Sequence, residues 1–229
     1  MVVQHNLTAM NTSRQLGITT TGLQKSTEKL SSGYKINRAA DDAAGLSISE
    51  KMRNQIRGLN KAASNTQDGI SLVQTAEGAL NEVHSMLQRV SELAVQASSD
   101  VNGTADRIAI KDEIDELKDE IDRVATTTQF NKMNILDGSF TGKSIQVGAN
   151  SGQNITIDIE DMKADSLGFS DTDVSDYTKA NTVLDQAQAA IEELSSRRSK
   201  LGATQNRLEH TYDNLNNICL LYTSPSPRD

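Results

Sequence analysis

The chain has 229 residues, 36% hydrophobic, 24% charged and 3% aromatic, with no Trp, one Cys and a formal net charge of −8. A single Cys excludes a disulfide scaffold, no run approaches the ~18 consecutive apolar residues of a membrane-spanning helix, and two Pro among few aromatics argue against a strand-rich sandwich. What remains is a helix-rich protein with a core of aliphatics and Ala.

Charge is unevenly spread: residues 1–61 carry nine Lys/Arg against four Asp/Glu, residues 62–229 fourteen against twenty-seven. The basic residues Arg14, Lys25, Lys29, Lys35 and Arg38 are dispersed and have no aromatics among them, so neither nucleic acid nor a membrane is expected as a partner. The first residues, Met1 to Leu7, have no cationic n-region and no apolar h-region, so a Sec-type signal is not expected.

In the first helical segment Leu16, Leu23 and Leu30 are spaced seven apart, with Leu7 and Met10 upstream. Gly17 and Gly22 weaken it by about 1 kcal/mol each, so this segment, to about Arg38, is expected to be poorly ordered without a partner. Ser31–Asn37 reads as a turn. A long helix starts near Gly45, its apolar positions being Met52, Ile56, Leu59, Ala63, Ile70, Val73, Ala76, Leu80, Val83, Leu87, Val90 and Ala94. Spacing alternates 4 and 3 with one hitch at Ile70–Val73–Ala76, as in a coiled-coil seam. Residues 46–99 would form a rod of about 80 Å.

Ser98–Gly103 is a polar break, with Thr104 as the expected N-cap. The third helix carries Ile110, Ile114, Leu117, Ile121 and Val124 to about Thr128. Ser144–Gly148 and Ile155–Ile159 alternate apolar and polar and predict two short strands. The fourth helix, residues 176–218, carries Ala180, Leu184, Ala187, Ile191, Leu194, Arg198, Leu201, Gln205, Leu208, Tyr212 and Leu215. The fold class expected is mainly α: an elongated coiled-coil-like helical bundle with a small inserted β-hairpin region. The last eleven residues hold the only Cys, Cys219, and both Pro, and read as a foreign tail.

No chemistry emerges from the motifs. His5, His84 and His210 are scattered outside any ligand spacing. Asp171–Asp176 starts like a calcium loop but lacks Gly at the sixth position and has Thr182 at the twelfth, so helix capping explains it better. Asp41–Asp42 has no companions for an acid–base site. No enzyme, cofactor or metal is expected.

The run Ser26 to Ser49, with its core Leu30-Ser31-Ser32-Gly33-Tyr34-Lys35-Ile36-Asn37-Arg38-Ala39-Ala40-Asp41-Asp42, resembles the amino-terminal signature of bacterial flagellin. The likeness continues through Asn65–Ser71, Gln74–Leu80, Leu87–Gln96 and Val147–Asn150, covers residues 1–218, and is nearest to short flagellins of clostridial type. It implies a structural subunit of an extracellular flagellar filament, supporting motility and self-assembling through terminal and rod helices. Residues 1–41 would be an inner-tube segment with the seam Leu7, Leu16, Leu23 and Leu30. Rod helices would span 42–129, a short β region 130–175 and the carboxyl-terminal rod helix 176–218, leaving 219–229 as the atypical tail.

The partners implied are other flagellin subunits, an export chaperone, the type III export apparatus, the filament cap and hook-associated proteins. The resemblance also implies Toll-like receptor 5 as a host partner, with Arg89, Leu93 and Glu113 as contact candidates. The alternative reading is a hook–filament junction protein. Family members continue past Ile218 with a further amphipathic helix, so this chain as written is expected to fold its rod but not to build a filament.

Overall fold

A computed structural model describes residues 6–223; His5 and the tail from Ser224, with Pro225 and Pro227, lie outside the described residues. The chain divides into two compact units, Met1–Ile56 and Arg57–Asp229.

The first unit contains α1 (Leu7–Ser32) and the opening turns of α2 (Ala43–Ala97). Asn6 caps α1, its side-chain oxygen accepting from the Ala9 amide at 3.1 Å. Gly33 ends it at φ 71°, where its N–H reaches the Lys29 carbonyl. No residue of α1 is buried. The two aspartates both bind main-chain amides: Asp41 accepts from the Asn37 and Arg38 amides of the turn, and Asp42 caps α2 by accepting from the Gly45 amide at 2.9 Å. The backbone donors from Arg38 and Asn37 hold the Asp41 carboxyl below its ordinary range. Arg53 lies 4.6 Å over the Tyr34 ring, the one cation–π contact among the described residues.

A helix that buries nothing has only its own backbone to hold it. In the dilute chain, amides across Leu7–Leu30 should exchange within about tenfold of an unstructured peptide, while those of Leu80–Val90 exchange only on global unfolding. Strong protection along α1 would show that it has found a partner surface.

The second unit contains most of α2, then α3 (Thr104–Thr127), β1 (Gln129–Phe130), β2 (Met133–Asn134), β3 (Lys143–Gln146), β4 (Asn154–Ile157) and α4 (Tyr177–Thr223). Buried side chains of α2, α3, α4 and the segment between them make one contiguous core. Leu80, Val83, Leu87 and Val90 of α2, Ile114 and Ile121 of α3, and Leu194 and Leu208 of α4 are all fully enclosed. A smaller cluster joins Leu59 and Ala62 to Leu215. All four tyrosines stay out of both clusters: Tyr34, Tyr177 and Tyr222 are exposed and Tyr212 is half-buried.

The hitch expected in α2 is absent. The buried face runs Leu59, Ala62, Thr66, Gly69, Val73, Ala76 and Leu80, an unbroken 3–4 alternation, while Ala63 and Ile70 lie at its edge. Thr66 is the one buried polar residue among those described, and its hydroxyl is satisfied inside the helix by the Ala62 carbonyl at 2.8 Å. Gly69 is small for a reason: a Cβ there would sit 2.5 Å from Ile145 Cδ1 of β3. At Gly58 a Cβ would meet Ala149 at 2.9 Å, so the β3–β4 loop rests on the helix backbone itself. On α4, likewise, Val183 and Ala190 take the buried positions and Leu184 and Ile191 flank them.

Helix ends and strands shift slightly from expectation. Gly103, not Thr104, precedes α3, and its amide donates to Asp106 at 3.0 Å. The strands pair antiparallel with Ile145 opposite Ile155, beginning one residue earlier than the alternation indicates. A second two-residue hairpin, β1–β2, turns through Asn131 and Lys132, both at positive φ. The fourth helix continues past Ile218 through Thr223, so Cys219 is helical and lies 3.2 Å from the Asn60 side-chain oxygen.

Candidate functional site

No group of three or more His, Cys, Asp or Glu among the described residues is placed to hold a metal ion, and no described helix is long and apolar enough to cross a membrane. The calcium-like run is occupied by its own chain: Asp173 accepts from the Ser175 amide at 2.9 Å and pairs with Lys179. Hydrogen bonding from Lys179, then from Ser175, drives its carboxyl far below the ordinary range. His84 is half-buried at the seam edge, beside Gln88 at 3.0 Å. What the molecule offers is surface.

The first surface is on α1. Leu7, Leu16, Leu23 and Leu30 are 74%, 67%, 67% and 87% exposed. Seven-residue spacing drifts only ~20° per heptad on a straight helix, so Leu16, Leu23 and Leu30 form a leucine stripe on one face, whereas Leu7, nine residues before Leu16 in the same helix, lies on the opposite side and drops out of the expected seam.

The second surface lies where α2 and α3 run side by side. Arg89 Nη2 donates to Glu113 Oε1 at 2.8 Å and Nε to the same oxygen at 3.0 Å, while Nη1 reaches Glu92 at 3.2 Å. Glu113 first, and then Glu92, raise the Arg89 pKa by stabilising the charged guanidinium. Arg89 and Glu113 are about half exposed, whereas Leu93 is 1% exposed and belongs to the core beneath them. Two of the three candidates therefore face solvent together, and the third supports them from below. Glu92 is a member of this cluster that sequence reading passed over, although its i+3 spacing from Arg89 was a usable signal.

Sequence reading also passed over Arg197. Its side chain is 11% exposed and forks between Glu193 at 2.8 Å and Glu160 at 3.3 Å. It also donates to the Asp161 and Ser166 carbonyls, which ties α4 to the segment after β4.

Known proteins match this arrangement along its length. The sequence profile described as "Bacterial flagellin N-terminal helical region" matches residues 3–141, and that described as "Bacterial flagellin C-terminal helical region" matches residues 184–221. A flagellin of Halalkalibacterium halodurans is 52% identical over 219 residues, covering 95% of this chain and 80% of that protein. The crystal structure of Bacillus cereus flagellin superposes with a TM-score of 0.58 at 31% identity, covering 66% of this chain and 88% of the other. A Vibrio parahaemolyticus chain named, provisionally, as a flagellar hook-associated protein reaches a TM-score of 0.67 at 11% identity, covering 81% and 97%, a likeness of fold alone. With both profiles and half-identical relatives over nearly the whole sequence, the chain belongs to the bacterial flagellin family, the structural subunits, not enzymes, of the extracellular flagellar filament.

Proposed function

We propose that this flagellin enters the filament through the leucine stripe of α1 and presents the Arg89–Glu113 pair of α2 and α3 to a host innate receptor. Flagellins self-polymerise, and a polymerising subunit needs apolar surface that is free before assembly and covered after it. The observation that carries the first part is that α1 buries none of its residues while carrying three exposed leucines, Leu16, Leu23 and Leu30, in one register. Fully burying one such side chain is worth ~1.5–3 kcal/mol, so the stripe is where association gains most. On the way out the chain would be handled by an export chaperone and the type III apparatus, and at its destination by the filament cap and hook-associated proteins. The same exposed stripe is a face such handling proteins could cover. In a version carrying the further carboxyl-terminal helix of family members, polar replacement of both Leu16 and Leu23 by Gln should reduce addition of subunits to filament seeds by at least about tenfold, with the melting of the second unit unchanged. Normal seeded growth of that variant would remove the stripe from the assembly surface.

The receptor part rests on geometry that a flat protein partner could use: two half-exposed, opposite charges held on adjacent helices, on a rigid aliphatic floor that includes Leu93. Toll-like receptor 5 is the partner proposed. Arg89→Ala should weaken binding to the purified receptor ectodomain by at least about tenfold, with an unaltered melting temperature because the pair is solvent-screened. Unchanged binding would reject the patch. Leu93→Ala cannot make this distinction, since it would disturb the core as well.

A further inference from the structure

We infer that Asn102, in the connection between α2 and α3, is a site of spontaneous, one-way covalent modification in which the Gly103 backbone nitrogen attacks the Asn102 side chain and converts it to aspartate and isoaspartate. Asn102 is the only Asn of the chain followed by Gly. The nucleophile here is a main-chain nitrogen, and any side chain on the residue that owns it hinders the approach to Cγ. Glycine alone offers none.

The local structure leaves the reacting groups free of the backbone ladder. Gly103 precedes α3, so its amide is not part of the helical i to i−4 set; it donates only to the Asp106 side chain, at 3.0 Å. The Asn102 side-chain amide donates to the Gln96 carbonyl near the end of α2, and its backbone amide reaches Ser99 at 3.3 Å. The Gly103–Asp106 and Asn102–Gln96 bonds each involve a single side chain and break by one rotation. By contrast, Asn60, Asn81 and Asn206 lie within long helices, where the following amide is locked in the ladder.

Gly103 itself is required by nothing else in the fold. Its φ of −75° and ψ of 170° suit any residue, and an added Cβ would meet only the Asp106 carboxylate, at 3.5 Å. The reaction balances with water as the only co-reactant. The Gly103 nitrogen bonds to Asn102 Cγ and gives its proton to solvent hydroxide, and the side-chain nitrogen leaves as ammonia. Water then opens the five-membered imide at one carbonyl or the other. The product carries a carboxylate where an amide donor was, facing the Gln96 carbonyl, so the last turn of α2 loses a capping donor.

The test needs only the intact chain and does not depend on assembly or receptor binding. Trypsin releases Val90–Arg107, a peptide with Asn102 as its sole Asn, and Ser144–Lys163, which carries the exposed loop residue Asn150 as an internal comparator. After days at body temperature in mildly alkaline buffer, the first peptide should show the one-dalton gain, resolved into aspartate and isoaspartate forms. The comparator should lag at least about tenfold, a barrier about 1.4 kcal/mol higher. Gly103→Ala should suppress the gain to the comparator's rate while keeping the same melting temperature. An unmodified Val90–Arg107 peptide, or a gain that persists at full rate in Gly103→Ala, would overturn the proposal.

Discussion

Phe169→Ala should lower the unfolding free energy of the second unit by about 3–5 kcal/mol. Phe169 is fully enclosed and lies outside every long helix. A 3-10 turn at Asp165–Leu167 carries the chain to Gly168, whose φ of 85° reverses it and points the next residue inward. The Phe169 amide then bonds the Ala164 carbonyl at 2.9 Å, which fixes the ring among the buried side chains of the connection, including Leu136, Met162, Leu167 and Val174. An aromatic ring buries roughly 150–250 Å², and Phe169 is one of only three Phe in the chain. The backbone turn is held by its own hydrogen bonds, so the site has little freedom to collapse. Urea titration of the variant is the measurement. A loss below about 1 kcal/mol would mean that the connection packs on the helices more loosely than its burial indicates.

Arg197→Ala should cost about 2–4 kcal/mol, nearly independent of salt. The guanidinium is 11% exposed and supplies donors to two main-chain carbonyls, Asp161 and Ser166, besides its two carboxylate partners. Removing it leaves Asp161 and Ser166 without that donor and takes the guanidinium from Glu193 and from Glu160, which keeps Lys200 at 3.6 Å. Surface ion pairs are largely screened at 1 M salt, where the Debye length is ~3 Å. Hydrogen bonds to the neutral Asp161 and Ser166 carbonyls are not screened in that way. A destabilisation that vanished in high salt would reduce Arg197 to an ordinary surface ion pair. Arg197→Met, which keeps the stem but not the donors, should recover only the packing part.

The long helices were legible because their buried faces repeat every 3–4 residues, and Leu80, Leu87 and Ile114 are enclosed as that repeat requires. Thr66 and Gly69 were not legible, because hydropathy ranks both below their neighbours Ala63 and Ile70. Thr66 is buried only because its hydroxyl is satisfied within the helix, and Gly69 only because β3 arrives from far along the chain. The β1–β2 turn at Asn131–Lys132 was missed because Lys is seldom found at positive φ. Arg89 and Glu113, which the resemblance names together, are neighbours across two helices. The depth of Leu93 required the packing itself: i+4 spacing puts it on the same side as Arg89 but does not say that this side turns inward one turn later. Arg197 was visible only as an i+4 partner of Glu193; its carbonyl acceptors come from a loop no periodicity describes.

The placement of the tyrosines has an optical consequence. With no Trp in the chain and all four Tyr outside the two buried clusters, near-ultraviolet emission arises from rings already in or near water. Melting the aliphatic seam changes their surroundings little, so intrinsic fluorescence stays nearly flat while the protein unfolds. Backbone ellipticity, dominated by helices of 55, 47, 26 and 24 residues, carries the transition instead. The two signals should separate by region: a fluorescence change at mild denaturant reports Tyr34 losing Arg53, and the collapse of ellipticity reports the core.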